Sequence, residues 1–120
     1  MFYCILCYNL ETELQAWPRE KEASVLAHRE IVAQGLAAQG RLGPVARLMP
    51  TTTAMTMRAS RAPLLLDGPF AETKEQLLGF YIVDCRTLDD AIDVARNLVG
   101  DTGALEVRPV ATFYPGVGLQ

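Results

Sequence analysis

The chain opens with an unbroken apolar and aromatic run, Phe2 to Tyr8. Such a run reads as a β-strand apolar on both faces: Phe2, Cys4, Leu6 and Tyr8 on one, Tyr3, Ile5 and Cys7 on the other. A strand of this kind needs a covering layer on each side of its sheet. The period then changes. From Pro18 to Gln39 apolar positions recur at helical spacing, with an inward stripe through Val25, Val32 and Leu36. Pro18 suits the first helical position, Glu20 and Glu22 complement the helix dipole, and Gly40 supplies the stop. Gly35 is expected to let this helix approach the sheet closely. His28, three residues after Val25 and four before Val32, falls on the same inward stripe.

From Gly43 to Leu66 the pattern is extended, with turn punctuation at Gly43-Pro44, Pro50 and around Ser60. Thr52 to Arg58 has strand composition, Leu64 to Leu66 is a short apolar strand, and Leu78 to Cys85 is a longer one. Thr87 is a good N-cap for a second helix, with Asp90 three residues on. That helix carries the stripe Leu88, Ala91, Ile92, Ala95 and Leu98 or Val99, and Gly100 ends it. Leu105 to Val110 is the final strand. The order predicts an α+β, ferredoxin-like (split βαβ) fold, an antiparallel sheet with two helices on one face. Two helices cover one face only. The second apolar face of the first strand is therefore expected to meet another sheet, most economically that of a second copy, in a homodimer.

Composition narrows the function classes. The 120 residues fit one domain, 1–120; half are apolar and 21% charged, an ordinary globular balance. A net charge of −3 with no basic run argues against nucleic acid as a partner. No apolar run reaches the ~18 residues that span a bilayer, so no membrane association is expected. Met1 to Tyr8 lacks the basic start of a signal peptide, which leads us to expect a cytoplasmic protein. Three cysteines, Cys4, Cys7 and Cys85, do not make a secreted disulfide framework. Cys4-x-x-Cys7 lies within a strand, where residues three apart point to opposite faces. A redox pair instead sits at a helix N-terminus, so both are expected to be small apolar strand residues. One His and no Cys/His cluster leave no metal site, and no motif calls for a cofactor.

The chemistry-bearing residues are few. Asp67-Gly68-Pro69-Phe70 stands where a strand ends. Asp in an Asx-turn, Gly at positive φ and Pro after it make a sound structural stop, with Phe70 plugging the core end. His28 has two readings: a satisfied helix-face residue, or the side chain suited to proton transfer near neutral pH. An Asp bonded to one ring nitrogen would fix its tautomer and leave the other nitrogen as base. Arg58 and Arg108 read as solvated strand residues, Tyr81 as a core aromatic with a polar tip, and Met49, Met55 and Met57 as core or interface fillers. Ser24 and Ser60 have no triad-like neighbours.

The stretch Asp67-Gly68-Pro69-Phe70-Ala71-Glu72-Thr73-Lys74-Glu75-Gln76-Leu77, with Gly79-Phe80-Tyr81 and Glu106-Val107-Arg108-Pro109-Val110, resembles the DGPF-type branch of the YCII-related family. The likeness extends more loosely to the opening strand and to Ala27-His28-Arg29, and departs from the common pattern at Leu78. It implies a ferredoxin-like domain pairing into a dimeric α/β barrel. It further implies a cofactor-independent small-molecule enzyme in which His28 and Asp67 form the catalytic pair, driving isomerisation or elimination. Family members include a dehydrochlorinase of a chlorinated hydroxyquinol, and members of this branch occur beside extracytoplasmic-function sigma factors. The competing expectation is a non-catalytic binding or regulatory module that uses the same cleft to sense a ligand or to contact a sigma-factor partner, and a third is a dimeric scaffold whose turn is purely structural. A paired acid and base opening on a cleft would favour the enzyme; a cleft without such a pair would favour the binding module.

Overall fold

A computed structural model describes residues 1–118. Its strands are β1 (Phe2–Asn9), β2 (Leu42–Arg47), β3 (Met55–Arg58), β4 (Leu64–Asp67), β5 (Gln76–Asp84) and β6 (Ala104–Pro109). Its α-helices are α1 (Glu11–Gln15), α2 (Arg19–Ala38) and α3 (Leu88–Leu98), and Thr51–Thr53 form one 3-10 turn. The main sheet has the order β2-β5-β1-β6 with every neighbour antiparallel. With α2 between β1 and β2 and α3 between β5 and β6, this is the ferredoxin-like arrangement. A separate two-stranded sheet, β3-β4, is inserted between β2 and β5.

Strand alternation sets the core. Tyr3, Ile5, Cys7 and Asn9 of β1 are buried, while their alternates Phe2, Cys4, Leu6 and Tyr8 are half-buried. Ile5 and Val83 are sealed completely, and Tyr3, Leu36, Cys85, Ala91, Val94 and Leu98 close around them. Full burial of one such side chain contributes about 1.5–3 kcal/mol, so this one face holds the domain together. Cys4 and Cys7 lie on opposite faces as free thiols, as strand geometry requires. The Thr87 hydroxyl caps α3 by accepting from the Asp90 N–H at 3.1 Å. The Asp90 carboxylate reaches back to the Arg86 N–H, one residue earlier than a capping box would take it.

Several expectations need correction. A third helix, α1, forms where no helix is predicted. It is held by tertiary bonds: the Glu11 carboxylate accepts from the Thr51 N–H and hydroxyl, both at 3.0 Å, and the Glu11 N–H donates to Gln76 Oε1. Met49, Met55 and Met57 are exposed, which rules out the core half of their core-or-interface reading; Leu64 to Leu66 form the expected strand and are exposed with them, since no described residue covers the β3-β4 hairpin. Phe70 is 76% exposed rather than a core plug. Gly35 makes no close approach, since a Cβ there would meet nothing. Gly79 does: its backbone runs so close to the Ala46 carbonyl of β2 that a Cβ would collide with it.

Candidate functional site

A cleft of about 890 Å³ lies between α2 and the sheet. Its floor is the helix-facing side of the sheet, including Cys7, Val45 and Tyr81; its wall is the Leu26, Arg29 and Ala33 face of α2. Trp17 and Leu14, at and just beyond α1, form one rim. The space exists because of what α2 offers the sheet. Only Leu36, near its C-terminal end, is buried; further up, Arg29 and Ala33 replace the large apolar residues that would close the gap. At about 100° per residue, Val25, Arg29, Val32 and Leu36 cluster within about 60° of one another, so Arg29 sits on the inward stripe.

His28 therefore does not lie on the buried stripe. It is exposed on the α3 side of α2, and Nε2 is 2.7 Å from the Asn97 carbonyl oxygen near the C-terminus of α3. A carbonyl can only accept, so Nε2 donates, and in the neutral ring Nδ1 is the nitrogen with the lone pair. A smaller groove of about 370 Å³, lined by Lys21, Ser24, Val25 and Asp101 among others, includes His28. Asp67 is elsewhere in the chain, the last residue of β4 opposite Met55, and exposed. Its carboxylate makes no hydrogen bond among the described residues. The turn after it is held instead by Gly68 at φ 92°, with its N–H on the Ala54 carbonyl and its own carbonyl taking the Thr56 hydroxyl. Within one chain no hydrogen bond joins His28 to Asp67.

The polar lining of the large cleft is mostly engaged. Glu11 is committed to Thr51, Glu30 accepts from Gln34 Nε2 at 3.1 Å, and Glu22 lies 3.9 Å from Arg47. Arg29, half-buried, makes no ion pair and no hydrogen bond among the described residues. Its charge is felt by two floor groups. Burial pushes the Tyr81 hydroxyl up from its ordinary value, and Arg29 pulls it partly back; the Cys7 thiol behaves the same way. Cys7 is thus a protonated, unreactive thiol at neutral pH rather than a nucleophile. The Tyr81 hydroxyl, expected as a polar tip on a core aromatic, opens on the cleft with no protein partner among the described residues.

The chain belongs to the YCII-related domain family, whose family model matches residues 1–114. It is also similar to an uncharacterized protein of Rhizobium meliloti (strain 1021), 50% identical over 120 residues and covering 97% of both chains.

Proposed function

We propose that this YCII-family protein is a homodimeric small-molecule-binding protein whose ligand enters the cleft between α2 and the sheet. The observation that carries the reading is the cleft itself. At about 890 Å³ it falls within the ~300–1,000 Å³ of ligand pockets and combines an apolar lining with a few convergent polar groups. It does so without a paired acid and base, the pattern expected of a binding module. A thermal-shift screen read beside Trp17 fluorescence tests it. Trp17 is the single tryptophan and lies on the rim, so a ligand in the cleft changes its emission and raises the melting temperature together. A broad library in which nothing moves either signal would sink the reading.

The dimer rests on surface left over. The chain exposes 8864 Å², where a closed monomer of its mass exposes about 6,400 Å². Its radius of gyration is 16.0 Å against about 14 Å for a compact domain of this length. The open sheet face (Phe2, Cys4, Leu6, Phe80 and Ile82) and the hairpin leucines account for apolar area that a second chain would cover. Light scattering is expected to give about twice 13.2 kDa, and Leu6→Arg to give monomer. Wild-type monomer at micromolar concentration contradicts this.

A second reading, cofactor-independent proton transfer by His28 and Asp67, has one observation in its favour: the Asn97 carbonyl fixes the His28 tautomer that leaves Nδ1 basic. In that reading Asp67 is supplied across the dimer by the projecting β3-β4 hairpin. Turnover of a phenolic or α-carbonyl substrate that survives both His28→Ala and Asp67→Asn refutes it.

A further inference from the structure

We infer that Arg29 is the anion anchor of the cleft, and that its ligand is an apolar or aromatic monocarboxylate. The inference rests on the cleft being the binding site and names what it takes. Arg29 occupies an inward position of α2 that core packing would give to an apolar side chain, at the level of Val25 and Val32. A guanidinium there is costly unless something pairs with it. Among the described residues, every other charged side chain lining the cleft already has a partner in the protein: Glu11 on Thr51, Glu22 with Arg47, Glu30 on Gln34. Arg29 alone is left with its planar fork of donors, and that fork matches a carboxylate bidentately. The Tyr81 hydroxyl on the floor supplies a further donor toward the same space.

Charge and lining set the class. Among the described residues three glutamates line the cleft against two arginines, a net charge of −1, so a doubly charged phosphate is repelled about twice as strongly as a single carboxylate, for which the fork of Arg29 supplies the local attraction. The remaining walls, Leu14, Trp17, Leu26, Val45 and Leu48, receive an apolar or aromatic body.

The test uses benzoate, 4-tert-butylbenzoate and octanoate, each against its own primary amide, with inorganic phosphate as a further probe. Calorimetry on the full chain reads affinity for the wild type, Arg29→Met and Arg29→Lys, each shown folded by circular dichroism. The wild type is expected to bind the carboxylates at least about tenfold tighter than the amides and to ignore phosphate. Arg29→Met is expected to lose that preference while still binding amides, and Arg29→Lys to keep part of it. If Arg29→Met fails to fold, the Arg29→Lys loss of bidentate pairing decides the matter. Equal wild-type affinity for acids and amides, a preference that survives Arg29→Met, or tighter phosphate binding overturns the anchor and leaves the cleft as a neutral site. Silence from all six organic compounds overturns the anchor, whereas the broad ligand screen judges the cleft separately.

Discussion

Arg41 is the side chain whose removal should most clearly expose how the two helices are fixed to the sheet. It leaves the end of α2 and spreads its guanidinium over the junction of β5 and α3. Nε donates to the Asp84 carbonyl at 3.1 Å, Nη1 to Gln39 Oε1 at 2.9 Å, and Nη2 to Asp90 Oδ1 at 3.0 Å, with the Cys85 sulfur 3.6 Å away. Arg41→Met keeps most of the stem packing and deletes the donors. The lost carbonyl bond costs about 1 kcal/mol. The ion pair, with side chains 27% and 33% exposed, adds only ~0.2–1 kcal/mol because water screens it. The Gln39 side chain can turn to solvent, the Asp84 carbonyl belongs to an exposed residue that water reaches, and Asp90 keeps the Arg86 N–H, so no buried charge is orphaned. The expected loss is about 2 kcal/mol, or roughly 8 °C in melting temperature for a domain of this size. Thermal and urea denaturation followed by circular dichroism measure it. A cycle with Asp90→Asn should give a coupling of about 0.5–1 kcal/mol, shrinking in ~1 M salt while the carbonyl contribution persists. A melting temperature lowered by less than about 2 °C would refute the clamp, and a coupling that salt leaves untouched would refute its ionic part.

Two other perturbations test separate parts of the fold. Burial holds the Cys7 thiol above its ordinary 9.0, so its contribution is full below the unfolded value and is lost as pH rises through the folded one. Urea midpoints should therefore fall as pH rises above about 9.0, and fall less in Cys7→Ala; an identical decline in both proteins would contradict the assignment. Gly79→Ala should push β2 away from β5, because its Cβ meets the Ala46 carbonyl. A loss of about 1–3 kcal/mol by urea titration is expected, and an unchanged midpoint would show that the approach is not tight.

How much of this was legible in the sequence depends on what holds each element. β1, β5 and α3 are fixed by their own patterns, and the sequence marks them to within a residue or two. β2 was less visible, because Gly43 and Pro44 sit inside it; both are tolerated on an edge strand, where the register indeed shifts between Leu42 and Val45. α1 has only five residues, too few to form without the tertiary bonds of Glu11. The hairpin's apolar residues signal strands but not what lies against them. His28 and Arg29 show the limit most directly. Both positions satisfy helical spacing from Val25, and an arginine is seldom chosen for an inward face. Yet Arg29 is the closer to the centre of the stripe, and the uncommon residue there was the available signal for the cleft.

That cleft follows from how α2 is held. Its C-terminus is locked by Gly40 at φ 68°, with the Gly40 N–H on the Ala37 carbonyl and the Arg41 N–H on that of Leu36, the paired bonds of a Schellman stop. Leu36 then seats in the core, and Arg41 ties the junction to β5 and α3. Beyond Leu36 toward the N-terminus, the cleft-facing residues next along α2 include Ala33 and Arg29, too small or too polar to fill the space over Tyr81. The domain thus leaves apolar volume unfilled where it could have packed it, the pattern that the proposed ligand site would require. Ala33→Leu makes the trade measurable. Filling the cleft with a buried branched side chain should raise stability by about 1 kcal/mol and remove the proposed ligand binding while the mass in solution stays unchanged. A destabilised Ala33→Leu that still binds its ligand would mean that the space over Tyr81 is not where the ligand goes.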